Sequence, residues 1–231
     1  MKLEIGESPA GAPSSVAERI EGMRESIAAE ARALGRDPRG IVLVGVSKKQ
    51  SVERVREALE AGLTDLGENY LQEARDKFAA LPAVRKHFIG HIQTNKAKAI
   101  VETFDVVQSI DRLDAGVAIA RAQAKAGKRV RALIQVNVSP SERFGVRADE
   151  APGLARRLRE DEGLEVDGVM AIGPLSPDPR VVREAFAAAA AAFAAVGGTT
   201  LSLGMSGDWR EALAAGSTML RLGTALFGAR A

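Results

Sequence analysis

The sequence predicts a single (β/α)8 barrel, the TIM-barrel class, on three observations. β-rich apolar runs recur eight times, an amphipathic helical stretch follows the runs, and no linker or shift of composition interrupts the alternation. Eight such units between residues 41 and 223 fit a minimal closed barrel better than an open doubly wound sheet, which more often has five or six strands. At 231 residues and 46% hydrophobic content the chain is long enough to bury one sizeable core.

Taken in order, Met1 to Pro13 carries Gly6, Pro9, Gly11 and Pro13 and is expected to be a flexible tail, residues 1–13, ahead of a barrel over 14–231. Ser15 and Glu18 form the capping box of a leading helix. The first strand is expected over Ile41 to Lys48. The next three lie near Asp65–Asn69, His87–Gln93 and Val106–Ile110, with Ser51, Tyr70, Gln93 and Asp111 close to the helix starts that follow. In the second half Arg131–Val138, Val166–Ile172, Thr200–Ser206 and Met219–Gly223 read as strands. Helices around Ala148–Glu160, Arg180–Val196 and Asp208–Ala215 separate them. Ala185 to Ala195 is Ala-rich, but Phe186 and Phe193 stand seven apart on one helical face, the mark of a packed barrel helix.

Composition removes several function classes. Lys and Arg number 32 against 30 Asp and Glu, a net charge of +2, so bulk charge gives no support to nucleic-acid binding. Without cysteine there is neither a disulfide framework nor a thiolate metal site. No signal h-region and no apolar run of about 18 residues occurs, so the expectation is a cytoplasmic protein without a membrane partner. Neither G-x-G-x-x-G nor G-x-x-x-x-G-K-[ST] is present, which weakens dinucleotide and nucleoside triphosphate readings.

In a (β/α)8 barrel the reacting groups stand at the C-terminal ends of the strands. Ile-Val-Leu-Val-Gly-Val-Ser-Lys is apolar until Lys48, and alternation places Lys48 on the face of Val42, Val44 and Val46. Pointed into the mouth and desolvated, its amine becomes a nucleophile for aldehydes. By position alone a solvated loop lysine is the commoner reading, and Lys49 competes. At the ends of strands seven and eight, Leu-Gly-Met-Ser-Gly-Asp (203–208) and Arg-Leu-Gly-Thr (221–224) occupy the positions where barrels bind phosphate. Ser206, Gly207 and Gly223 allow close approach of backbone N–H groups, and Arg221 can add a charge-assisted bond. Ser206 does not complete a nucleophile elbow, because its motif lacks the final Gly and no His follows His91. His87 and His91, four apart on a strand, stand about 13 Å from each other, too far to share a metal. Asn69, Asn137 and His91 suit a mouth lining, although turn, cap or buried hydrogen-bonding roles explain them equally well.

Val-Gly-Val-Ser-Lys (44–48), Leu-Gly-Glu-Asn-Tyr-Leu-Gln-Glu (66–73) and His-Phe-Ile-Gly-His-Ile-Gln-Thr-Asn-Lys (87–96) resemble the pyridoxal 5′-phosphate (PLP) homeostasis protein family. Ile-Gln-Val-Asn (134–137), Gly-Val-Met-Ala-Ile (168–172), Leu-Ser-Leu-Gly-Met-Ser-Gly-Asp (201–208) and Arg-Leu-Gly-Thr-Ala-Leu-Phe-Gly (221–228) continue the match in order. The resemblance implies a fold-type III PLP barrel, like the barrel domain of alanine racemases, in which Lys48 forms a Schiff base with PLP. It places the phosphate at Ser206, Gly207, Arg221 and Gly223, with Asn69 and His91 in mouth-lining motifs. Arg143, where relatives often carry Lys, and Gln50-Ser51, which lacks a Pro often found there, depart from the pattern.

The resemblance further implies a protein that binds, buffers and delivers PLP rather than an enzyme. It is expected to be monomeric, with apo-PLP-dependent enzymes as its partners. Racemisation needs a second acid/base opposite the lysine, which related racemases take from a C-terminal β domain. The chain ends shortly after Gly223 and has one tyrosine, Tyr70. The alternative is a PLP-dependent racemase-type enzyme with Lys48 as base and Tyr70 or His91 as partner. A sugar-phosphate enzyme would need a strand-end carboxylate, which Gly168-Val-Met-Ala-Ile-Gly does not supply.

Overall fold

The computed structural model describes residues 15–139 and 144–228. The expected tail and Arg143 lie outside them. Eight parallel strands close in sequence order into a barrel: β1 Val42–Val46, β2 Asp65–Glu68, β3 Arg85–Phe88, β4 Val106–Ile110, β5 Arg131–Val136, β6 Glu165–Ala171, β7 Thr200–Ser202 and β8 Met219–Leu222. The helices are α1 Val16–Ala33, α2 Val52–Glu60, α3 Leu71–Ala79, α4 Ala97–Thr103, α5 Leu113–Ala126, α6 Ala151–Glu160, α7 Pro179–Val196, α8 Trp209–Ala214 and α9 Thr224–Phe227. Among the described residues no helix is long and apolar enough to cross a membrane.

Local sequence explains the element ends. Ser15 accepts from the Glu18 amide at 3.1 Å while Glu18 returns the bond to the Ser15 amide at 2.8 Å, so the capping box starts α1. Ser51 caps α2 from one side only, its hydroxyl accepting from the Arg54 amide at 3.4 Å. Gly127, at φ 60°, ends α5 in the left-handed region. Several strands are shorter than their apolar runs. The expected strand over His87–Gln93 is instead Arg85–Phe88, and that over Thr200–Ser206 stops at Ser202. The residues between belong to the mouth. Gly90 runs so close to β2 that a Cβ there would lie 1.9 Å from the Asn69 carbonyl oxygen, and Gly204, at φ 91°, turns the chain after β7.

Apolar packing between strands and helices supplies the core. Phe104 is fully buried against Phe78 (ring centroids 5.8 Å) and Phe88 (5.1 Å), both edge to face, and clamps α3 and α4 onto β3. Phe186 is fully buried and Phe193 is partly buried against the same core, as their shared helical face predicts. The lumen holds alternate residues. On β1, a Cβ on Gly45 would strike Leu63 outside the barrel, whereas one on Gly67 of β2 would meet Val44 and Ile89 inside.

Closure of the ring is uneven. β1 and β8 share four register pairs, but β7 and β8 share one, Ser202 with Met219. At that join the Ser217 hydroxyl lies within 3.1 Å of the carbonyls of Leu201, Leu203 and Met219 and accepts from the Leu203 amide. Arg36 reaches across to the carbonyls of Leu213 and Ser217.

Candidate functional site

The C-terminal ends of the strands surround a cavity of about 190 Å³ lined by Lys48, Asn69, Ser206, Arg221, Gly223 and Thr224, with apolar walls that include Val46 and Met170. Five of the seven residues expected from the sequence are therefore brought together: Lys48, Asn69, Ser206, Arg221 and Gly223. Thr224 lies in the 221–224 segment expected at the phosphate although it was not singled out, and Val46 lies on the face expected for Lys48; Met170 was missed, because a single apolar residue within a strand carries no chemical signal.

Lys48 and Lys49 separate cleanly. Lys48 leaves the end of β1 partly buried in the cavity wall, whereas Lys49 is exposed at φ 59°. This left-handed residue turns the chain out of the barrel, and the carboxylate of Glu73 takes its amide at 2.5 Å. The residue before the lysine is braced from below. The Ser47 hydroxyl donates to Glu68 Oε1 (2.7 Å), and Lys77 Nζ donates to the Ser47 carbonyl (2.5 Å), to Glu68 Oε1 (2.6 Å) and to Glu73 Oε1 (3.0 Å). Burial pushes the Glu68 carboxyl above its ordinary range although Lys77 and Ser47 pull it down. Sequence reading missed this brace. Lys77 looks like a surface residue of α3, and only its i,i+4 spacing from Glu73 hints otherwise.

Next round the ring from the lysine, the Ser206 hydroxyl accepts from the Ala225 amide at 3.1 Å and ties the β7 loop to the start of α9. A Cβ on Gly223 would approach the Val46 carbonyl to 3.6 Å and fill space between β8 and β1. Gly207 is exposed, with open space around it, and does not line the cavity. Asp208 turns back to accept from the Met205 amide at 2.5 Å. Burial raises its carboxyl, against the pull of that amide and of the Arg221 charge. Arg221 comes from within the lumen. Its Nη1 donates to the Ser202 carbonyl (2.7 Å) and hydroxyl (2.6 Å), and its Nη2 to the Ala171 carbonyl (2.8 Å). Complete burial lowers its pKa to about 10, against the pull of Asp208.

His91 lies outside this cavity. It lies beyond the end of β3, stacks on Phe144 (centroids 4.1 Å, 24° between planes), stands 3.6 Å from Asp111 and lines a neighbouring depression with Asn69 and Tyr70. Tyr70 is 56% exposed and lines only that depression. His87 is wholly buried in the lumen between Asp65 and Gln108. Asn137 accepts from the Ser139 amide and serves a turn. Among the described residues no group of three or more His, Cys, Asp or Glu is placed to hold a metal ion.

Fold and site define a class: a (β/α)8 barrel whose strand-end lysine lines a cavity at the mouth together with the loops that follow β7 and β8. A model of the alanine racemase N-terminal domain matches residues 24–231. The pyridoxal phosphate homeostasis protein of Pseudomonas aeruginosa is 41% identical over 229 residues, covering 94% of this chain and 96% of its own. That of Escherichia coli is 36% identical over 230 residues, covering 94% and 97%. The structure of PipY from Synechococcus elongatus with PLP bound is 31% identical, with a TM-score of 0.82, and the match covers 93% of this chain and all of that one. Alanine racemase from E. faecalis, 16% identical with a TM-score of 0.72 over 58% of its chain, shares the fold. The chain belongs to the pyridoxal phosphate homeostasis protein family, built on the alanine racemase N-terminal domain.

Proposed function

We propose that this protein binds PLP reversibly at the barrel mouth and acts in PLP homeostasis as a carrier, with Lys48 as the covalent tether. The observation that carries the reading is one cavity whose lining brings together an amine, that of Lys48, and the Ser206–Gly223–Thr224 rim. The residues present fit the group. Asn69 leaves its buried Oδ1 without a partner, ready for a donor, and Gly67 and Gly223 keep the cavity open where side chains would enter it. When bound, PLP supplies an aldehyde that condenses reversibly with an amine, and an anionic phosphate.

Each residue has a task in that reading. Lys48 would hold the aldehyde end, its place at the end of β1 set by the brace on Ser47. Ser206, Gly223 and Thr224 would take the phosphate, supported by the neighbouring Gly207, while Arg221 brings a cation to the cavity floor that offsets the phosphate charge. Asn69 would orient the ring side of the ligand, and His91 would border the mouth from the adjoining depression.

Carriage is favoured over racemisation by the lining itself. Lys48 and Arg221 are the titratable residues among those described there, and no carboxylate, histidine or tyrosine faces Lys48 across the cavity. The same reading takes the protein as a cytoplasmic monomer whose partners are PLP and apo-enzymes that require it. Borohydride reduction of the PLP-loaded protein followed by peptide mass mapping tests the tether. The expected adduct is on Lys48, and an adduct on Lys49 or any other lysine refutes it. Mixing the loaded protein with an apo-enzyme tests carriage, where restored activity is expected and full retention of PLP refutes it. Loss of α-deuterium from amino acids, abolished in Lys48→Ala, would establish the enzyme reading instead.

A further inference from the structure

Five buried polar side chains form one continuous hydrogen-bonded chain through the lumen, and of the five only Arg221 lines the cavity. Asp65 Oδ1 lies 2.8 Å from His87 Nε2, His87 Nδ1 lies 2.8 Å from Gln108 Nε2, Gln108 Oε1 accepts from the Ser202 hydroxyl at 2.7 Å, and Ser202 Oγ accepts from Arg221 Nη1 at 2.6 Å. The members come from β2, β3, β4, β7 and β8, so the chain crosses the barrel from the start of β2 to the cavity floor.

The two ends determine every proton between them. A guanidinium only donates, so Ser202 accepts from Arg221 and turns its single proton toward Gln108. Asp65 only accepts. Its Oδ2 takes the Thr64 hydroxyl at 2.8 Å and Arg85 stands 3.4 Å from Oδ1, the surroundings of an ionised carboxylate. His87 Nε2 therefore carries a proton. The Gln108 amide has one orientation that serves both neighbours, with Oε1 toward Ser202 and Nε2–H toward His87 Nδ1, which must then be bare. Its Nε2 also lies 3.2 Å from the Met219 sulfur, which reinforces that orientation. All four bonds point one way, from the cation to the carboxylate, and such alignment strengthens each link.

We infer that Asp65, His87, Gln108 and Ser202 are positioning residues for the buried cation of the site: the chain turns the Ser202 oxygen toward Arg221 and so fixes the guanidinium in the cavity floor. The inference deepens the proposed function, on which it rests only where Arg221 is taken to face PLP. The hydrogen-bond order belongs to the protein without ligand.

The test has two arms. In the PLP-free protein, long-range proton–nitrogen NMR of the two histidines reads the ring protons of His87. The neutral Nε2–H tautomer is expected, and Asp65→Asn, whose amide can donate as well as accept, is expected to mix the tautomers. A parent His87 that is protonated on Nδ1 or on both nitrogens at neutral pH overturns the inference. In the loaded protein, Asp65→Asn or Gln108→Leu is expected to shift the visible absorption band and weaken PLP binding about tenfold, the order of one hydrogen bond to a charged group. The double variant should do no more than Gln108→Leu alone, because the relay is already cut. Arg85→Met, which touches Asp65 from outside the chain, should leave the band in place. An unchanged band in both single variants, or additive effects in the double, counts against a positioning role. If Asp65→Asn does not fold, the parent tautomer and Gln108→Leu still decide. If no form of the protein shows a visible band, the proposed function fails while the tautomer arm stands.

Discussion

Replacing Lys77 with methionine tests the brace beneath Lys48 most sharply. Methionine keeps the length of the stem and removes three hydrogen bonds, to the Ser47 carbonyl, Glu68 and Glu73. Glu73 is 28% exposed and can turn to water, but Glu68 is fully buried and its second oxygen, Oε2, already has no partner. Removing one member of such a buried pair costs about 3–5 kcal/mol, because the remaining charge is stranded. For a chain of this size that is roughly 6–20 °C of melting temperature. The cost is pH-dependent. Burial holds the Glu68 carboxyl above its unfolded value, and without Lys77 it is held higher still. A raised carboxyl costs stability as pH rises, so the gap between parent and Lys77→Met should widen from about pH 5 to pH 8 and narrow on acidification. Urea melts at pH 5, 7 and 8 measure it. Glu68→Leu combined with Lys77→Met should recover most of the loss, since an apolar pair can replace a buried ion pair at little cost. A loss below about 1 kcal/mol at pH 7, or a gap that does not grow with pH, would refute the reasoning.

Three other outcomes are expected. Asp65→Asn should be less stable than the parent above about pH 4, and the gap should shrink below that as pH falls through the depressed pKa of Asp65, because such a carboxyl stabilises only while ionised; urea midpoints that stay equally far apart on acidification refute this. Gly90→Ala, whose methyl would sit 1.9 Å from the Asn69 carbonyl oxygen, should lose several kcal/mol or fail to fold, whereas Gly127→Ala, with open space around it, should lose only about 1 kcal/mol of conformational strain; thermal melts compare them. Ser15→Ala should cost about 1 kcal/mol through the lost capping box, read as a drop of roughly 2–4 °C.

What could be read from the sequence follows from periodicity. Apolar runs and the helices between them gave the eight-stranded barrel, because a residue that faces core on both sides of a parallel strand must be apolar. Lys48, Ser206 and Gly223 were legible as polar or small residues closing such runs. The strand ends were not, since Phe-Ile-Gly-His-Ile is as apolar outside the sheet as inside it, and this carried His91 one depression away from the cavity. The lumen chain was hidden for a related reason. Gln108 and Ser202 sit within apolar strands, and nothing local shows that residues 94 positions apart meet. Arg221 was read as a charge-assisted partner for phosphate; its depth became visible only with Ser202 and Ala171 in place.

The join between β7 and β8 has a consequence for how a ligand would be felt. Ser206 hangs from one side of that join and Gly223 from the other, and the bond from the Ala225 amide to the Ser206 hydroxyl adds to the backbone bonds that cross it, Leu203 to Met219 and Arg221 to Gly204. A molecule that gripped both loops would act as one more clasp across that join. Part of its binding energy would then appear as slower local opening between β7 and β8, and its departure would remove that link.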